Sequence, residues 1–174
     1  MILSDIYIQV NCNFMKYENE KYYGEKKEFA IRYLKNIENS NFAFCHLILA
    51  DKIIGDINET CYLGTWKNSI ETLKTEIENG NFKIDKYNVF KDKTDVEKFD
   101  LIWDDRQDYR ILQVNIDETI DAYLVSLIEK DGILKFLWKG WREPCPENQI
   151  GKLNTVEVET ENVIKTIEST LLEI

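Results

Sequence analysis

Near its start the chain alternates: Ile6, Ile8, Val10 and Cys12 are interleaved with Tyr7, Gln9 and Asn11. Successive strand side chains point to opposite faces, so this period of two predicts a strand with one apolar face. Residues 16–28 are dense in Lys, Glu and Tyr, show no period and contain Gly24, which predicts an exposed loop or a long hairpin turn. Alternation returns at Phe29, Ile31 and Tyr33. The segment NIENSN, 36–41, then supplies turn chemistry before an apolar run from Phe42 to Ala50, which resumes at Ile53-Ile54 after Asp51-Lys52. That arrangement predicts a hairpin.

From Thr65 to Asn79 the period becomes helical. Trp66, Ile70, Leu73 and Ile77 fall at offsets 0, 4, 7 and 11 and make one stripe. Thr65 is expected to cap the start and Gly80 to end the helix. After FKIDKYNVF at 82–90, Thr94 and Glu97 form a capping-box pattern for one short helical turn. Four strand-like runs follow, at 99–103, 109–116, 122–129 and 133–138, with Asp131-Gly132 as the turn joining the last two. They predict an antiparallel meander. Both prolines lie in GWREPCPENQIG, 140–151, which is expected to be a loop. A further strand is expected at 153–159, and then a closing helix capped by Thr160, with Val163, Ile164, Ile167 and Leu171 on one face. No linker or repeat divides the pattern. The expectation is one α+β domain over 1–174, mostly antiparallel sheet in a meander and hairpins, with one central and one C-terminal amphipathic helix.

Composition narrows the function classes. With 44% hydrophobic residues, 7 Gly and 2 Pro among 174, the chain is neither collagen-like nor mostly disordered. Thirty-two acids against 22 bases give a net charge of -10, which should repel nucleic acid and anionic membranes and favour a basic partner. The acids are concentrated: residues 95–131 hold eleven acids and four bases, a charge of -7, whereas residues 16–35 hold six bases and four acids. Such asymmetry serves solubility or steers a cationic protein to one face. The longest apolar stretch, around Phe42 to Ala50, is far below the roughly 20 residues that span a bilayer. The N-terminus lacks a positively charged leader and a small-residue cleavage site. A cytoplasmic location with reduced thiols is therefore expected.

Candidate chemistry is sparse. Cys12, Cys45, Cys61 and Cys145 form no CxxC pair, and the only histidine is His46, so zinc-binding spacing is absent and no metal or other cofactor is expected. Cys45 and His46 are adjacent in a predicted strand and must point to opposite faces, so they cannot form a thiol–imidazole pair, and His46 is expected to be structural. Asp104, Asp105 and Asp108 have a DDxxD spacing that could hold Mg2+ through carboxylate oxygens. This defines an alternative, a small acidic Mg-dependent hydrolase or phosphotransfer enzyme. Arg106 and Arg110 interleave with these acids, and the sequence offers no phosphate-cradling loop, so a solvated acidic turn is the favoured reading. Trp66, Trp103 and Trp138 are expected in the core. Tyr22, Tyr23, Tyr62 and Trp141 sit in or beside loops, where amphipathic rings anchor interfaces.

The segment FAFCHLILADKIIGDINETCYLGTWKNSIETL, 42–73, resembles immunity proteins of bacterial polymorphic toxin systems, specifically the immunity protein 42 family. The shared pattern is an aromatic strand, a turn, a second strand ending in Ile54-Gly55-Asp56, and a Leu63-Gly64 step into a helix; FAIRY at 29–33 and FLWKGW at 136–141 are similar to further family blocks. In the hairpin turn, Asp51-Lys52 stands where Asn-Gly would be expected. The resemblance implies a non-enzymatic inhibitor that binds the toxic C-terminal domain of a neighbouring secreted protein. Many such toxins are nucleases with a basic cleft, which an acidic inhibitor can occupy. On that reading Asp104, Asp105, Asp108, Asp117, Glu118 and Asp121 are the expected toxin contacts. Gly55 and Gly64 are expected to be backbone devices for turns.

Overall fold

A computed structural model describes the backbone of residues 7–10 and 13–16, and residues 19–174 apart from 105, 107 and 108. Strands β1 (Tyr7–Val10) and β2 (Asn13–Lys16) pair antiparallel. The expected N-terminal strand is present, while the side chains of Ile6, Ile8, Val10 and Cys12 lie outside the described residues.

The larger sheet runs β3 (Lys21–Gly24), β4 (Phe29–Lys35), β5 (Phe42–Leu49) and β6 (Lys52–Ile54), all antiparallel, with β7 (Cys61–Tyr62) pairing with the start of β5. Part of the expected 16–28 loop is thus the strand β3. It is a short, mostly exposed edge strand of sequence Lys-Tyr-Tyr-Gly, so it carries no apolar alternation to read. Strands β4 and β5 are buried on both faces, which is why their residues are apolar nearly without interruption. One face carries Phe29, Ile31, Tyr33, Cys45, Leu47 and Leu49; the other carries Ala30, Leu34, Phe44, Ile48 and the paired Arg32 and His46. The β5–β6 turn is formed by Ala50 and Asp51, both at positive φ, with Lys52 already paired to Leu49. It lies one residue earlier than Asp51-Lys52.

Helix α1 (Leu63–Glu78) buries the expected stripe of Trp66, Ile70, Leu73 and Ile77, each contributing about 1.5–3 kcal/mol. Its start differs from expectation. Tyr62 is the N-cap, no side chain caps the helix, and Thr65 lies within the first turn. The Leu63 N–H donates to the Asn41 carbonyl oxygen at 2.8 Å, so one orphan donor of that turn is satisfied by backbone instead of a hydroxyl. Gly80 ends the helix at φ +64, donating to the Ile77 carbonyl oxygen while Asn81 donates to Glu76, a Schellman closure.

Two strand expectations fail. Residues 99–102 belong to α2 (Asp95–Ile102), where Phe99 and Ile102 are buried one helical turn apart and Thr94 and Glu97 complete their capping box. Their i, i+3 spacing and the box favour helix over strand. The run 109–116 contains a 3-10 turn at Arg110–Leu112 and only an isolated bridge from Gln113 to Ser126. Leu112, Val114 and Ile116 are nevertheless buried with a period of two, which explains the strand-like pattern.

The second sheet has the order β10–β9–β8, from β8 (Tyr123–Lys130), β9 (Ile133–Gly140) and β10 (Asn154–Glu159), with the Asp131-Gly132 turn as expected. Helix α3 (Thr160–Leu171) follows β10 directly. Glu159 occupies its N-cap and the buried Thr160 hydroxyl has no hydrogen-bond partner, so the expected Thr160 cap is absent; instead the Thr160 N–H donates to the Gly132 carbonyl oxygen. Val163 and Ile167 are fully buried, with Thr166 and Thr170 beside them, whereas Ile164 and Leu171 pack at the core margin. Stacking of Phe29 on Phe136, centroids 5.3 Å apart, joins the two sheets in one core. The architecture is α+β with antiparallel hairpin and meander sheets.

Candidate functional site

A glycine corner positions the site. Beyond buried Ile54, Gly55 takes φ +127, and a Cβ there would lie 3.0 Å from His46 Cδ2 and 3.2 Å from the Thr119 carbonyl oxygen. This close approach needs glycine. The Asp56 N–H then donates to the Thr119 carbonyl oxygen at 2.8 Å, tying the end of β6 to the 117–120 turn. His46 reinforces the corner: its Nε2–H donates to the Asp56 carbonyl oxygen at 2.9 Å, and its Nδ1 accepts from Arg32 Nη1 at 3.1 Å. Arg32 Nε in turn donates to Glu20 at 2.5 Å, and Glu20 also accepts from the Tyr22 hydroxyl at 2.6 Å. Burial pulls the His46 pKa down to about 4, so the ring is neutral and serves as a backbone clamp. Cys45 lies on the opposite face, and its hydrogen bond with Cys61 and its burial push its thiol pKa upward, against any nucleophilic role.

The turn held by this corner forms one wall of a pocket. Asp117 Oδ1 accepts from the Thr119 N–H at 3.0 Å and from its hydroxyl at 2.5 Å. Asp117 Oδ2 is buried, with the Cys61 thiol beside it, and that thiol donates to the Ala43 carbonyl oxygen at 3.3 Å. Burial pushes the Asp117 carboxyl pKa up, against the lowering effect of the Thr119 hydrogen bonds. Glu118 beside it is exposed, as is Glu59. These carboxylates and the rings of Phe42 and Tyr62 line a cavity of about 280 Å3. The two rings meet edge to face with centroids 5.8 Å apart, and Tyr62 is 54% exposed. Gly64 lies under Tyr62: a Cβ there would meet Tyr62 Cε1 at 3.0 Å. Among the described residues, no lysine, arginine or histidine lines this cavity. Among the described residues, Glu59, Asp117 and Glu118 form no ion pair. At Thr65 the cavity adjoins a groove of about 420 Å3 between α1 and residues 110–116.

The expected contact residues separate. Asp117 and Glu118 share the pocket, and exposed Asp121 ends the same turn, where its carbonyl oxygen accepts from Trp141 Nε1 at 2.7 Å. Asp104 stands apart, bound by Arg106 through Nε at 3.0 Å and Nη2 at 2.9 Å, which holds its carboxyl pKa down to about 2. Asp105 and Asp108 lie outside the described residues. Tyr62 fulfils its expectation as an exposed ring, and Trp141 is 49% exposed, whereas Trp66 and Trp138 are fully buried and Trp103 half-buried, donating to Ser126 Oγ at 2.8 Å. Sequence reasoning missed Glu59 and Phe42. No sequence signal marks them, because Phe42 meets Tyr62 only through the β5–β7 register and Glu59 lies in the loop just before β7. The described residues include no group of three or more His, Cys, Asp or Glu placed to hold a metal ion.

The family described as Immunity protein 42 matches residues 15–173. The chain belongs to that family. It is therefore an immunity protein, which binds a cognate toxin and neutralises it, and its partner is a protein. The alternative reading as a Mg-dependent enzyme gains no support. The crystal structure of CdiI from Burkholderia dolosa AUO158 is similar in fold, with a TM-score of 0.61 over 88% of this chain and 100% of that chain, at 14% identity. No curated protein matches. No helix among the described residues is long and apolar enough to cross a membrane. The two glycines that carried the resemblance, Gly55 and Gly64, both border the pocket, the first through a positive-φ corner and the second, unlike the expected turn device, through space for the Tyr62 ring.

Proposed function

We propose that this immunity protein acts by occlusion, without catalysis, as one α+β domain in the cytosol of the producing cell, and that its acidic surface covers a basic cleft on the toxin. Asp117, Glu118 and Asp121 belong to that surface, with Asp104, Asp105 and Asp108 as flanking contacts. The observation that carries this reading is the unneutralised carboxylate group at the 117–118 turn: among the described residues, Asp117, Glu118 and nearby Glu59 have no cation in the cavity lining. Ionised groups without partners raise the local negative potential, and a toxin that binds nucleic acid must present the complementary sign. A nuclease is the toxin class that best fits such a surface.

Co-expression with the toxin domain encoded beside this chain tests the reading. The wild-type chain is expected to restore growth, and a Glu59→Lys/Glu118→Lys chain, folded by circular dichroism, is expected to lose protection. Protection by the double reversal equal to wild type would remove the acidic surface from the mechanism.

A further inference from the structure

We propose that the pocket between Tyr62 and the 117–119 turn is the anchoring subsite of the interface and receives one arginine side chain of the cognate toxin. The inference rests on the proposed acidic interface and narrows it to a single contact. Three observations converge on this occupant. The cavity, about 280 Å3, has room for a side chain, and the charged groups among its described lining residues are all carboxylates. Its aromatic wall includes the Tyr62 ring, which is more than half exposed, packs edge to face with Phe42 and lies over Gly64. Asp117, whose Oδ2 is buried, belongs to the same lining, so its carboxylate acts on the cavity at short range and partly out of water.

A guanidinium matches this combination better than an ammonium. It is planar, stacks on an aromatic face, and still offers N–H groups at its edge to carboxylates such as Glu59 and Glu118. It is also less strongly hydrated, so entering a part-apolar pocket costs less. Tyrosine and arginine are over-represented among the residues that dominate interfaces, and a rim that excludes water strengthens such contacts. The mostly exposed Tyr62 is held in place by its neighbours, which limits the side-chain freedom lost on binding.

Double-mutant cycles against the toxin domain encoded beside this chain provide the test. Tyr62→Ala and Glu118→Gln alter exposed groups, so their melting temperatures should stay near wild type while each raises Kd by about tenfold or more. Tyr62→Phe keeps the ring and should stay within about threefold of wild type. Replacing the toxin's arginines singly by alanine should identify one whose loss is coupled to Tyr62→Ala by about fivefold or more. Unchanged Kd for Tyr62→Ala and Glu118→Gln, with wild type binding tightly, would overturn the subsite and leave the acidic interface standing. Weakened binding without coupling to any arginine would overturn the occupant. Failure of the wild-type chain to bind would instead overturn the interface reading and the subsite with it.

Discussion

Buried His46 and half-buried Asp117 pull stability in opposite directions as pH falls. His46 has its pKa lowered to about 4 in the fold, below its ordinary value of 6.5, so the unfolded chain binds more protons between these values. Its contribution is present above the ordinary histidine pKa and is lost as pH falls toward 4, a difference on the order of 3 kcal/mol. Asp117 has its pKa raised by burial, so the folded chain takes up its proton first and its ionised form costs stability at neutral pH. Melting curves of His46→Gln and Asp117→Asn across this range check both signs. The His46→Gln chain should be less stable at neutral pH but show a flatter acid decline. The Asp117→Asn chain keeps an acceptor for Thr119 and should melt at or above the wild-type temperature at neutral pH, with its advantage shrinking as pH falls. A residue whose charge weakens the fold but lies at the binding pocket is expected where function sets the choice.

At the scale of elements, Gly55 and Gly64 make distinguishable predictions. Gly55→Ala forces a side chain into the φ +127 corner against His46 and Thr119, and should cost about 1–3 kcal/mol in denaturant unfolding. Gly64 lies in the first turn of α1 with only the exposed Tyr62 ring in the way, so Gly64→Ala should leave stability unchanged or slightly raised while displacing that ring and weakening toxin binding. The stripes of α1 and the C-terminal helix were legible because one-sided burial writes its period into the sequence, and the β5–β6 hairpin and β8–β9 turn because turn residues punctuate apolar runs. What was not legible had competing causes. Residues 109–116 carry a strand's period without a strand's ladder, and 99–102 became helix through a cap placed five residues upstream of Phe99. Thr65 and Thr160 looked like caps, but backbone donors at these helix starts found carbonyl partners elsewhere. The site was half legible: Asp117, Glu118 and Tyr62 could be singled out, whereas their assembly with Phe42 and Glu59 depends on the β5–β7 register.

For the whole molecule, the net charge of -10 concerns association more than folding. Local pairing decides which of those charges act. Asp104 is neutralised by Arg106, so Asp104→Asn should alter the association rate less than Glu118→Gln, a comparison that stopped-flow mixing at low salt makes directly. The most direct test of the central claim is titration calorimetry of this chain against the toxin domain encoded beside it, at low and at moderate salt. The account predicts tight one-to-one binding that weakens as salt rises and weakens further in the Glu59→Lys/Glu118→Lys chain. Tight binding insensitive both to salt and to that double reversal would contradict it.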